Sequence, residues 1–133
     1  MTLVNILPNM TIGKVQVKSQ RDENSLIETI DAAAGLEIQI WTSDFQHALE
    51  GHPEVSLERV RNALRNPIKV VKSKKSNRVC LFYSLDVQDE QFGTIYFCVV
   101  IGVLGKGVGK LETAYETTYI KSGDVLLDKG AKK

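Results

Sequence analysis

The stretch TIYFCVVIGVLGKGVGKLETAYETTYIK, residues 94–121, decides how this chain folds. Its first part, TIYFCVVIGV (94–103), is apolar at both odd and even positions. That pattern predicts a central strand covered on both faces. The glycines of LGKGVGK then predict a hairpin turn that uses positive φ. A Walker A loop is excluded, because Lys110 is followed by Leu111 and the run joins two strands. The last part, residues 110–121, alternates at period two. Leu111, Thr113, Tyr115, Thr117, Tyr119 and Lys121 fall on one face, and Glu112, Ala114, Glu116, Thr118 and Ile120 on the other. Four hydroxyls and an ammonium in one row are either a solvent-facing strand of high β propensity or a set of donors awaiting a ligand.

Outward from this hairpin, VCLFYSLDV (79–87) and IKVVKS (68–73) read as strands bounded by the polar turns QDEQFG and KKSN. Two short helices precede them. In the first, Phe45, Ala48 and Leu49 form one face, Ser43 or Asp44 caps the start, and Gly51 before His52-Pro53 ends it as a left-handed cap. The second runs from Ser56 to about Asn66; Leu57, Val60 and Leu64 line its apolar side, Arg59, Arg61 and Arg65 face outward, and Asn66-Pro67 stops it. LEIQIW (36–41) reads as a strand, SLIETIDAAAG as a helix ending at Gly35, TIGKVQVKS (11–19) as an edge strand, and VLL in the tail as a last short pairing before a frayed GAKK. The expected fold is α+β: short helices packed on one face of a four- to five-stranded antiparallel meander, the other face partly open. One domain spans residues 1–133, with its core at 36–123 and a strand–helix extension at 1–35.

The chain has 133 residues, 43% apolar and 25% charged, which suits one globular domain and excludes wholesale disorder. The longest apolar run, residues 95–104, is too short to span a bilayer, and MTLVNILPNMTIGK lacks the pattern of a secretory signal, so no membrane and a cytoplasmic location are expected. Residues 22–58 hold nine acids and no Lys or Arg; residues 59–78 hold eight bases and no acid. This polarity means either a basic footprint for a polyanion or two blocks that neutralise each other. Cys80 and Cys98 read as reduced thiols packing as small hydrophobes, and a zinc site made with His47 and His52 fits no familiar spacing, so no metal and no cofactor are expected.

His47 and His52 are the only histidines and lie five residues apart. Each is a solvated or turn residue unless a proton-transfer role claims it. One chemistry would need the imidazoles and the hydroxyl row together. Metal-free RNA cleavage takes a proton from the 2′-hydroxyl, gives one to the departing 5′-oxygen and surrounds the phosphorane with donors. The ordered set H-x4-HPE (His47, His52, Pro53, Glu54), a basic helix ending in Asn66-Pro67, a strand bearing Tyr83, FCVVIGV, and TAYxTxxIKxG (Thr113, Ala114, Tyr115, Thr117, Ile120, Lys121, Gly123) resembles the phage and polymorphic-toxin members of the barnase–EndoU–colicin–RelE-like nuclease superfamily. The resemblance covers about residues 36–123, and Gly51 stands where many relatives have a basic residue. It implies a metal-independent ribonuclease, a toxin or phage-derived effector acting on RNA such as tRNA, with an immunity or antitoxin protein as a further partner. It further implies His47 or His52 as general acid/base, Thr113, Tyr115 and Thr117 as phosphate-holding catalytic residues, and Lys121, Arg59, Arg61 and Tyr83 in substrate binding. A non-catalytic RNA- or protein-binding module of the same fold, or an immunity-like protein, is the alternative.

Overall fold

The computed structural model of the chain describes residues 24–89, 91 and 93–129. Along the chain come β1 (Leu26–Asp31), β2 (Glu37–Trp41), α1 (Thr42–Gly51), α2 (Leu57–Arg65), β3 (Lys69–Ser73), β4 (Val79–Asp89), β5 (Gly93–Gly105), β6 (Val108–Thr117) and β7 (Gly123–Asp128). One sheet holds all seven strands in the order β1-β2-β6-β5-β4-β3-β7. The apolar run 94–103 is its centre: β5 is the fourth strand, paired antiparallel to β4 and β6 over most of its length. The two-residue turn between β5 and β6 has positive φ at both Lys106 (25°) and Gly107 (78°), the hand that matches strand twist.

The sheet is not the four- to five-stranded antiparallel meander expected. Strands β3 to β6 do run as antiparallel neighbours in chain order, but β2 joins β6 in parallel, with Ile38 opposite Gly109. Parallel partners need a long crossover, and α1, α2 and three strands supply it. Gly109 makes the junction possible. A Cβ there would overlap Ile101 Cγ2 and crowd Ile38 Cδ1, so the bare backbone lets β2 and β5 side chains meet across β6.

Two further corrections concern the flanks. SLIETIDAAAG is not a helix. LIETID forms β1 against β2, and Ala34 (φ 65°) and Gly35 (φ 77°) turn the chain back between them. The spacing of Leu26, Ile27 and Ile30 imitates a helical stripe, but only Ile30 is buried; strand pairing decides the segment. The tail segment becomes a full edge strand, β7, on β3. Gly123 permits that approach, since a Cβ would overlap the Lys72 carbonyl oxygen. The edge strand expected at 11–19 and the frayed GAKK lie outside the described residues.

Both helices pack on one face. Val60, Ala63 and Leu64 of α2 and Ala48 of α1 are buried with Ile38, Ile40, Val70, Phe82, Val99, Ile101 and Leu111. Each fully buried aliphatic side chain contributes about 1.5–3 kcal/mol, which is why the sheet face and the helix stripes cannot separate. Helix α2 begins at Ser56, as read from the sequence, and the structure adds a cap: the Ser56 Oγ accepts the Arg59 N–H at 3.2 Å. Helix α1 differs: it starts two to three residues early with Trp41 as an uncapped N-cap, and Asp44 lies inside its first turn, bonded to Lys110 Nζ at 3.2 Å. Gly51 has no positive φ; the His52 N–H simply closes the helix on the Ala48 carbonyl at 2.8 Å.

The face opposite the helices carries Val71, Leu81, Tyr83 and Cys98, flanked by Tyr96, Val100 and Tyr115. Residues 118–122 cross it, from the end of β6 past β5, β4 and β3 to the start of β7. This strap is anchored by Ile120, packed on that cluster, and by the Lys121 N–H, which donates to the Tyr83 hydroxyl at 3.1 Å. Among the described residues no helix is long and apolar enough to cross a membrane.

The acidic and basic blocks partly neutralise each other. Arg61 grips Glu28 of β1 through its Nε (2.9 Å) and Nη2 (2.6 Å), clamping α2 to the first strand. That bond, then the Arg61 and Arg65 charges, hold the Glu28 carboxyl below its usual range against a modest cost of burial. A carboxyl depressed in the folded state adds stability above its unfolded pKa and loses it as pH falls through the folded value. Glu28→Gln should therefore lower the Tm at neutral pH, and the gap to the parent protein should close in acid; thermal melts across pH check this, and a pH-independent gap would refute the clamp.

Candidate functional site

Among the described residues, no strand lies on the outer edge of β6 beyond Lys110, because β2 pairs only with residues 108–110. Helix α1 and the turn after it cover that edge instead. In the turn the Val55 N–H donates to the His52 carbonyl at 3.0 Å, and the Val55 side chain is buried in the core. The Glu54 carboxylate accepts the free edge N–H of Glu116 at 3.1 Å, and Arg59 Nη1 donates to the Glu54 carbonyl at 2.8 Å. Burial works against the Glu54 charge, but the backbone N–H groups of Glu54 and Glu116, with His52 and Arg59 nearby, hold the carboxyl below its ordinary range.

This pinned turn places His52. Its Nδ1 stands 3.6 Å from Glu54 Oε2, and its ring lies 5.6 Å from the Tyr115 ring at a 43° tilt. The side chain is 43% exposed. His47 does not join it: it is exposed on α1, and its side chain has no hydrogen bond, ion pair or ring contact among the described residues.

Thr113, Tyr115 and Thr117 share the open face of β6, each half-buried. The Thr117 hydroxyl is partly spent on shaping the strap: it donates to the Tyr119 carbonyl at 3.3 Å and accepts the Tyr119 N–H at 3.4 Å. Burial raises the Tyr115 phenol well above its ordinary value, and proximity to Cys98 raises it further, so it stays a neutral donor. The Cys98 thiol between Tyr83 and Tyr115 is itself pushed by burial up to about 11, which leaves it inert at neutral pH. Cys80 lies in the helix-side core and Cys98 on the opposite face, so the two cannot share a metal.

Three of the expected substrate contacts point elsewhere. Arg59 stacks on Phe97 with its guanidinium 4.4 Å from the ring centroid and pairs with Asp86 and Glu116, all on the helix side. Arg61 is held by Glu28. Tyr83 is 1% exposed beneath the strap and serves as its anchor. The fourth, Lys121, does face the open side. It rims a groove of about 780 Å³ between the strap and the β3–β4 turn, where Tyr115 also contributes to the wall. Lys74, Lys75 and Tyr119 line the same groove and were not singled out from the sequence. The signal was available as the basic KSKKSN turn and the fourth hydroxyl of the alternating row.

Tyr115 is thus in contact with His52 and shares the groove with Lys121; His52 itself, like His47, Arg59, Arg61 and Tyr83, does not line it. No protein-family model, no curated protein and no solved structure matches this chain.

Proposed function

We propose that the chain is a metal-independent endoribonuclease-like domain, with His52 as its general acid/base and the open face of β6 as its phosphate-binding wall. The observation that carries this reading is the His52 imidazole, turned toward Glu54 on one side and packed against Tyr115 on the other. In this reading the carboxylate beside Nδ1 orients the ring, and Nε2 serves as the proton acceptor. In the step envisaged, Nε2 removes the 2′-hydroxyl proton, O2′ bonds to phosphorus, and the P–O5′ bond breaks. The departing 5′-oxygen takes the proton from the imidazolium, leaving a 2′,3′-cyclic phosphate and a 5′-hydroxyl. Tyr115, held neutral, donates to a non-bridging oxygen, and Lys121 offsets the charge.

One observation favours the non-catalytic alternative: a single imidazole, not two, reaches the hydroxyl row, so acid and base must be the same residue. The immunity-like reading has less support, because Glu28 and Asp44 of the acidic block are paired within the chain. Incubation with RNA in EDTA tests the proposal. Products ending in 2′,3′-cyclic phosphate are expected; RNA that is bound and recovered intact would replace the nuclease with a binding module.

A further inference from the structure

The groove beneath the strap holds more than the cleavage reading needs. Its floor is aliphatic, formed by Val79, Leu81 and Val100, and its walls carry Tyr115 and the strap residue Tyr119, which is 60% exposed. Around the rim stand Lys74, Lys75 and Lys121, and none of the described residues lining it is a carboxylate. Arg59, Arg61, Lys69 and Lys110 each have an acidic partner, whereas the three rim lysines, like Arg65, Lys72, Arg78, Lys106 and Lys129, have no ion pair among the described residues. Of the acids on this face, Glu112 sits over Gly102 at the end of the floor beyond Val79, and Asp128 pairs with Lys69 on β3.

An occupant must therefore offer spaced negative charges together with flat apolar faces. A duplex offers phosphates but keeps its bases in the stack, leaving the aliphatic floor and Tyr119 without partners. An acidic peptide offers charge without a stacking surface. A single-stranded nucleic acid offers both: phosphates for the ammonium groups and exposed bases for the tyrosine and the floor.

From this match we infer that the groove binds unpaired RNA, with one base stacked on Tyr119 and the flanking phosphates on Lys74, Lys75 and Lys121, so that the substrate class is single-stranded RNA. The inference deepens the RNA-directed reading of the site and rests on it for the identity of the sugar, but the binding itself needs no cleavage. The test uses the full chain and a labelled oligonucleotide whose 2′-hydroxyls are methylated, so that nothing can be cut. Its binding is followed by fluorescence anisotropy as a single strand, annealed to its complement, and in competition with polyglutamate.

The single strand should bind at least about tenfold more tightly than the duplex, and Tyr119→Ala, an exposed position, should weaken it about tenfold. Removing Lys74 and Lys75 together should lower the slope of log affinity on log salt by about 1.4, the share of two phosphates on a single strand. Equal binding of the duplex, full competition by polyglutamate, or an unchanged affinity in Tyr119→Ala would overturn the assignment. The two readings fail separately. Binding of the single strand by a protein that cuts no RNA refutes the nuclease alone; cleavage of RNA by a protein indifferent to strandedness refutes the groove alone.

Discussion

His52→Ala is expected to lower the rate of RNA cleavage by about 10²–10⁴-fold, while His47→Ala stays within about twofold of the parent protein. The two imidazoles are five residues apart in the chain but differ in what surrounds them. Helix α1 ends between them, and the turn that follows is pinned by the Glu54 carboxylate on β6 and by Arg59 on the Glu54 carbonyl. Only His52 is carried to the hydroxyl row. Its side chain is partly exposed and fills no core position, so the alanine variant should melt within a few degrees of the parent. Added imidazole should restore part of its activity, which a merely structural role would not allow. Equal losses in the two variants, or a loss confined to His47→Ala, would remove the assignment of the general acid/base.

Phe82→Ala should cost about 3–5 kcal/mol, the largest single loss of stability expected in the molecule. Phe82 has no exposed surface, and it sits between Val70 and Val99 on the helix side of the sheet. Truncation leaves a cavity where three strands and α2 meet, and rigid β-pairing on both sides keeps the walls from closing on it. A domain of this size is stable by about 5–15 kcal/mol, so the loss takes a third or more of the total near the lower end of that range. Leu85→Ala provides the comparison. Three residues along the same strand and 47% exposed, Leu85 should change stability by no more than about 0.5 kcal/mol. Denaturant midpoints of the two variants check the pair; similar losses would mean that the helix layer does not cover β4.

The parts of the fold legible from residues alone are those whose signal is local. Period-two alternation, the apolar run of β5, the glycine turn after it and the Asn66-Pro67 stop of α2 each describe the backbone within a few residues of themselves. The charge blocks were legible as a pair of alternatives. In the structure Arg59, Arg61 and Lys69 are neutralised by acids, while Lys74 and Lys75 remain without them. Which of the eight bases is free depends on the face each strand presents, and that is set by strands far away in the chain.

Sequence alone determined that the chain forms antiparallel β3 to β6 with two helices ahead of them, and that a row of hydroxyls lies along one side of β6. Tertiary structure alone decided that β2 enters in parallel beside β6, that β1 is a strand, that β7 closes the far edge, and that His52 and not His47 meets Tyr115. The division follows from where the free energy lies. A hairpin or a helix stripe satisfies its hydrogen bonds and shows its apolar period within one segment. A parallel pairing, an edge docking or a side-chain encounter gains its energy only when segments some seventy residues apart are already in place.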